Sequence, residues 1–147
     1  MTAAGATWRD HAIDELRSAG LRKGQARLAV IDLLATQPCA LTATEIEEDL
    51  RRKGHRVGLA SVYRTLELLA DMRLVGRLEV GQGIARYEPL TPDGEHHHHL
   101  VCDHCGRVIP FDDEELEETI GRLTRKVRFQ VAEHDVVLHG ACRSCRN

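Results

Sequence analysis

The chain has no apolar run approaching the eighteen or so residues that span a bilayer. Its first residues, MTAAGATWRDHAIDEL, carry early acids and no apolar segment, so no secretory signal is expected there. Internal repeats are absent, and so is low-complexity sequence apart from four consecutive histidines. Neither an HExxH helix nor a Ser/His/Asp arrangement is present, so the usual zinc-protease and serine-hydrolase chemistries lose their markers. Positive charge is not in excess either: the net charge is −3, which taken alone argues against a nucleic-acid partner. What remains is a 147-residue chain, 42% hydrophobic and 29% charged, expected to fold as one ordinary domain or two small ones and to stay in the cytoplasm.

Charge is distributed unevenly. Residues 1–86 hold 13 Lys and Arg against 11 Asp and Glu, whereas residues 87–147 hold 7 against 12. The motifs divide at the same place. In the first half, WRDHAIDELRSA (8–19) and QARLAVIDLLAT (25–36) have helical apolar spacing, ended by Gly20 and Pro38. Thr42-Ala43-Thr44-Glu45 reads as a capping box opening a helix to about Lys53, with Gly54 at its end. A further helix fits 59–72, with Val62, Leu66 and Leu69 facing inward. VGRLEV and IARYEP flank Gly81-Gln82-Gly83 as a hairpin.

Several short helices and a hairpin outline a winged helix-turn-helix, in which the last helix enters the major groove. Ser61, Tyr63 and Arg64 in its first turns have the hydrogen-bonding and charge chemistry to meet phosphate or bases. Arg22, Lys23 and Arg27 form a second basic cluster, and Arg77 and Arg86 decorate the hairpin. The alternative at this stage is a small helical domain with solvated arginines.

The second half carries the metal chemistry. Cys102-x-x-Cys105 and Cys142-x-x-Cys145 are separated by 36 residues, leaving Cys39 alone among the five cysteines. In a reducing compartment two such knuckles make a closed four-thiolate site suited to structural Zn²⁺; a rubredoxin-like iron site or two unrelated thiol pairs are the alternatives. Ahead of them lie His96–His99. A purification tag is excluded by position, since about fifty residues follow. If the approach to LVCDHCG is extended, side chains alternate, so His96 and His98 face one way and His97 and His99 the other. One run then serves two sites, the alternative being a single surface patch. Residues 112–127 form an amphipathic acidic helix with Leu116, Ile120, Leu123 and Val127 on one side, and RFQVAEHDVVLHG follows as an alternating strand with His134 and His139.

Taken together, GLASVYRTL (58–66), YEPLT (87–91), HLVCDHCG, HDVVLHGAC and the closing CRSC resemble the ferric uptake regulator family of metal-responsive repressors, zinc uptake regulator-like members included. The resemblance implies an α+β chain: a winged-helix DNA-binding domain (1–86), a hinge (87–95) and a small α/β dimerisation domain (96–147) with the Cys102, Cys105, Cys142 and Cys145 zinc site. It matches Tyr63 and Arg64, with Ser61 beside them, to contacts of the recognition helix, and Arg22 to a basic residue near the minor groove. His96, His98, Glu117 and His134 match a site within the dimerisation domain. Glu88, His97 and His99, with Cys39, match the hinge site that senses metal. Pro110 stands where many relatives carry an acidic ligand.

The implied function is a homodimeric repressor of metal homeostasis genes that binds a palindromic double-stranded operator when its regulatory metal, Zn²⁺ or Fe²⁺, is bound. It implies no catalysis, no small-molecule substrate and no membrane. A peroxide sensor using bound iron is the alternative within the family. Outside it stand a zinc-dependent hydrolase and a metal-buffering protein, neither of which needs the 58–66 helix.

Overall fold

The computed structural model of the protein describes residues 3–22, 24–37, 40–79, 83–90 and 97–146. The chain forms two compact units, Met1–Glu95 and His96–Asn147. Among the described residues no helix is long and apolar enough to cross a membrane.

The first unit runs α1 (Ala3–Ser18), α2 (Gln25–Thr36), β1 (Leu41–Thr42), α3 (Ala43–Arg52), α4 (Leu59–Asp71), β2 (Val75–Glu79) and β3 (Ala85–Pro89). Helix α2 buries Ala29, Val30, Ile31, Leu33 and Leu34, more than one stripe, because it packs on α1, α3 and α4 together. Trp8 of α1 is buried, and its indole N–H donates to Leu74 O at 2.8 Å, tying the first helix to the chain just after α4. Val62, Leu66 and Leu69 are fully buried, as their spacing predicts.

The capping box forms as expected. Thr42 Oγ1 accepts from Glu45 N at 3.1 Å, and Glu45 Oε1 accepts from Thr42 N at 3.2 Å. Helix α3 ends where Gly54 takes φ +86, letting His55 N–H reach back to Leu50 O at 2.9 Å.

The three strands order β1-β3-β2, all antiparallel. The hairpin read from VGRLEV and IARYEP forms, and Tyr87 is 5% exposed because its ring joins the helical core. One expectation changes here. Arg86, expected to decorate the hairpin, turns inward: opposite Thr42 in the register, it donates to Glu45 Oε1 at 2.9 Å and to Ala40 O at 3.2 Å.

The second unit comprises β4 (His98–Cys102), β5 (Val108–Phe111), α5 (Glu114–Lys126) and β6 (Val137–Gly140). Strand β4 is central, antiparallel to β5 and parallel to β6, with α5 in the crossover that parallel pairing requires. Asp113 caps α5 by accepting from Leu116 N at 2.9 Å. Acids fill its first turn and Arg125 and Lys126 its last, matching the helix dipole. Yet no residue of α5 is buried, and Leu123 and Val127 are more than half exposed.

The alternating strand expected through 128–140 forms only at its end. Residues before Val137 lie beyond the start of β4 and lack a full ladder; Val136 instead accepts from His99 N at 3.0 Å and donates to the His98 ring.

Both α4 and α5 end with a non-glycine residue in the left-handed region, Arg73 (φ 57) and Arg128 (φ 54). Leu74 N–H to Leu69 O at 2.8 Å completes the motif after α4. A side chain in this conformation costs roughly 1–2 kcal/mol, offset in part by the greater unfolded entropy of glycine. Arg73 is exposed, and its side chain makes no hydrogen bond or ion pair among the described residues. Arg73→Gly is therefore expected to stabilise the first unit by about 0.5–1 kcal/mol, read as a rise of a few degrees in its calorimetric midpoint. A lower midpoint overturns the expectation.

Candidate metal centres and nucleic-acid interface

Cys102 and Cys105 lie at the end of β4 and in the turn after it, and Cys142 and Cys145 in the turn after β6. Because β4 and β6 are paired in parallel up to Cys102 opposite Gly140, both turns emerge at the same end of the sheet. All four sulfurs fall within 4.8 Å of one another, and none is in a disulfide. Cys105 Sγ and Cys142 Sγ are 3.8 Å apart. Tetrahedral Zn–S bonds of about 2.3 Å require S–S edges of about 3.8 Å, so the set fits zinc.

Backbone amides prepare the thiolates. Cys105 N and Cys142 N both point at Cys102 Sγ, at 3.5 and 3.3 Å, and these N–H groups draw Cys102 down to about 6. Cys142 is lowered chiefly by the Ser144 amide. Cys145 is pushed up to about 12 by hydrogen bonds to the Cys142 and Cys102 sulfurs, since a fourth thiol beside existing negative charge resists ionisation. A divalent cation resolves that conflict. Gly106, at φ +77, makes the tight turn after Cys105.

The second cluster joins β4, α5 and the segment before β6. The Nε2 atom of His98 meets Glu117 Oε1, and the Nε2 atom of His134 lies 2.7 Å from Glu117 Oε2. His98 is 1% exposed, its ring 5.3 Å from that of His134 and 5.6 Å from Phe111. The His98 hydrogen bond, followed by burial acting the other way and then His134, leaves the Glu117 carboxyl below the usual carboxylate range.

Val136 N–H donates to His98 Nδ1 at 3.1 Å, so in the neutral ring the proton sits on Nε2, aimed at Glu117. Two imidazoles and a carboxylate within 4.8 Å are a donor set that suits Zn²⁺ or Fe²⁺. Coordination through His98 Nε2 requires that proton to leave. His96, expected as a fourth ligand, lies outside the described residues.

Of the residues expected at a hinge site, Glu88 is in β3 of the first unit. His97 is exposed just before β4, and His99 is 3% exposed within it. As the neighbour of His98 along a strand, His99 faces away from Glu117. Cys39 lies outside the described residues. Pro110, opposite His99 in the register, offers no ligand atom.

On α4 the candidate DNA contacts stand outward: Tyr63 is 44% exposed, and Arg64 is exposed with Nη2 donating to Ser61 Oγ at 2.9 Å. Ser61 thus holds the Arg64 guanidinium, a role its spacing of three along the helix makes possible. Tyr63 also lines a cleft of about 330 Å³ with Thr44, Arg77, Ile84 and Tyr87, between the helices and the hairpin. Arg22 is exposed after α1, and its carbonyl accepts from Arg27 Nη1 at 2.7 Å. Lys23 is outside the described residues.

Known proteins share this arrangement. The sequence pattern of the ferric uptake regulator family matches residues 18–139. The zinc uptake regulation protein of Mycobacterium tuberculosis is 36% identical over 133 residues, covering 90% of this chain and 100% of that protein. The ferric uptake regulation protein of Bacillus subtilis is 34% identical over 122 residues, 82% of each chain. Among solved structures, the ferric uptake regulator of Helicobacter pylori, which has three functional metal-binding sites, is 27% identical with a TM-score of 0.85, covering 100% of this chain and 98% of that one. The winged helix, the α+β second unit and these similarities lead to one assignment: the chain belongs to the ferric uptake regulator family of metal-responsive transcriptional regulators, and it is not an enzyme.

Proposed function

We propose that the protein is a cytoplasmic homodimeric repressor of metal homeostasis genes, which binds palindromic operators when a regulatory Zn²⁺ or Fe²⁺ is bound. The observation that carries this reading is the coexistence, in one chain, of an outward-facing Tyr63 and Arg64 on α4 with two clusters of metal-ligating side chains in the second unit. A buffering protein needs only the second of these features.

In this reading Tyr63 and Arg64 meet base edges and phosphate, Ser61 positions Arg64, and Arg22 reaches the neighbouring minor groove. Cys102, Cys105, Cys142 and Cys145 hold structural zinc, closed to exchange because no coordination position is open. His98, Glu117 and His134, with His96, form the second site. Glu88, His97 and His99, with Cys39, form the regulatory one. The three sites of the Helicobacter pylori regulator support this count. The metal's leverage is its preference for the DNA-competent arrangement; a typical coupling is about 1–3 kcal/mol.

The homodimer is supported by the second unit's surface. Leu100 in β4 pairs across to Ile109 in β5 and Leu138 in β6, so three apolar side chains stand in a row across the sheet, and all are exposed. The uncovered α5 stripe adds Leu123 and Val127. Apolar surface on this scale in so small a unit is the mark of an interface.

Mobility shifts on the protein's own promoter region, titrated with Zn²⁺, Fe²⁺, Mn²⁺ and Ni²⁺ and reversed by chelator, test the function. Failure to bind promoter DNA under any metal sinks it. Arg64→Ala should lose about 1–3 kcal/mol of operator affinity per half-site with the metal response intact. Purified protein should carry one mercurial-releasable zinc per chain. Cys105→Ser should lose that zinc together with the second unit's thermal transition, while the first unit still melts cooperatively. In Leu138→Asp each chain would bury an unpaired carboxylate, so the dimer dissociation constant should rise by roughly a hundredfold or more. Unchanged sedimentation equilibrium would remove this face from the interface.

A further inference from the structure

The turn between α3 and α4 carries a cationic cluster that no motif marks. Between Asp49 and Glu67 the chain has no acidic residue, its longest such stretch, and there it places Arg51, Arg52, Lys53, His55, Arg56 and Arg64. In a protein of net charge −3, this concentration sits directly ahead of the helix with the candidate DNA contacts.

All six residues from Arg51 to Arg56 are exposed, but their charges are not equally available. Arg51 spends its charge on Glu47, with Nη2 to Oε2 at 2.6 Å, and Arg52 is paired with Asp49. Lys53, His55 and Arg56 pair with no carboxylate among the described residues. The turn that displays them is closed by backbone bonds: Gly54 N to Arg51 O at 3.0 Å and His55 N to Leu50 O at 2.9 Å. These cations are therefore presented on a formed turn, and ordering the backbone adds little to the cost of binding. Gly58, the N-cap of α4, supplies no side-chain cap, so the positive end of the α4 dipole adds to the same field.

We propose that Lys53 and Arg56, assisted by His55, form a second phosphate-binding element that grips the DNA backbone bordering the groove α4 enters. This rests on the regulator reading above. It assigns a division of labour that reading does not contain: α4 reads bases, and the turn ahead of it supplies affinity without sequence preference. Helix-turn-helix geometry places the N-terminal end of the recognition helix against the duplex, and a residue three positions before α4 is within one extended side chain of the flanking phosphates.

The test is the salt dependence of binding, measured by fluorescence anisotropy on operator and scrambled duplexes with metal present. Each phosphate contact contributes about 0.9 to the slope of log K against log salt. Lys53→Ala/Arg56→Ala should lower the slope by about 1.8 per chain and weaken operator and scrambled DNA by the same factor, leaving the operator preference and the melting midpoint unchanged. Arg51→Ala/Arg52→Ala, whose charges are already paired, should move the slope far less. An unchanged slope in the first variant, or an equal loss in the second, overturns the assignment while leaving the regulator reading intact. Wild-type protein that binds neither duplex overturns both.

Discussion

The second unit has almost no apolar interior, and most of what is distinctive in the molecule follows from that shortage. Among its described residues, Val101 and Cys102 are the only buried hydrophobics, and His98 and His99 the only buried polar side chains. A unit of about fifty residues cannot bury enough surface to fold by packing alone and generally needs a metal, disulfides or a partner. The donor clusters stand where a core would. One joins the end of β4 to the turn after β6; the other joins β4 to α5 and to His134. Both span segments far apart in sequence, as core contacts do. Their internal conflict is electrostatic: with Cys102 drawn to about 6 and Cys145 pushed to about 12, four thiolates do not coexist without a compensating charge. A structural zinc is worth roughly 10–16 kcal/mol in small zinc-binding peptides, enough to replace the missing burial.

The first unit is built the other way. It has a continuous core from Trp8 to Tyr87, and its polar side chains serve as fasteners at the margins. Glu45 shows the economy. One carboxylate closes the capping box of α3 and also receives Arg86 from β3, so the start of the helix that precedes α4 and the hairpin share an anchor. Hydrogen bonds to a charged group contribute about 1.5–3 kcal/mol each, which makes this pair worth more to hairpin placement than an arginine turned to solvent.

What could be seen in the sequence follows from the range of each interaction. Helices α2, α3 and α4 were legible within a residue or so, because apolar spacing, a capping box and a terminal glycine are all local signals. The gathering of the four cysteines was legible from two short spacings. Arg86 was misplaced because its partner Glu45 is 41 residues away, and nothing local marks an inward arginine on a strand. The strand carrying Tyr87 was legible but its burial was not, for the same reason: an aromatic residue near a strand's end is buried or not according to what packs over it. The strand before Val137 was overextended because alternation describes side chains, while a strand also needs a partner backbone, and β4 begins only at His98. The bond from Val136 to the His98 ring fills that gap, and sequence gives no sign of it.

The contrast between the two units bears on how metal can act within the proposed function. The reading surface on α4 rests on a core that requires no cation, so loss of metal leaves Tyr63 and Arg64 on a folded scaffold. The second unit leaves its row of Leu100, Ile109 and Leu138 uncovered, and in the proposed function it is there that a cation would change the balance between ordered and disordered chain. A dimer joins two reading heads, and tethering of that kind raises affinity by about 10²–10⁴ without any new contact to DNA. A coupling of 1–3 kcal/mol at the metal sites, about 5–150-fold, is of the right size to govern a gain of that order. Metal control therefore needs no change in the shape of the recognition helix. It needs only that the weakly cored unit hold two strongly cored ones at the right spacing, and that it do so less well when its ligands are left to one another.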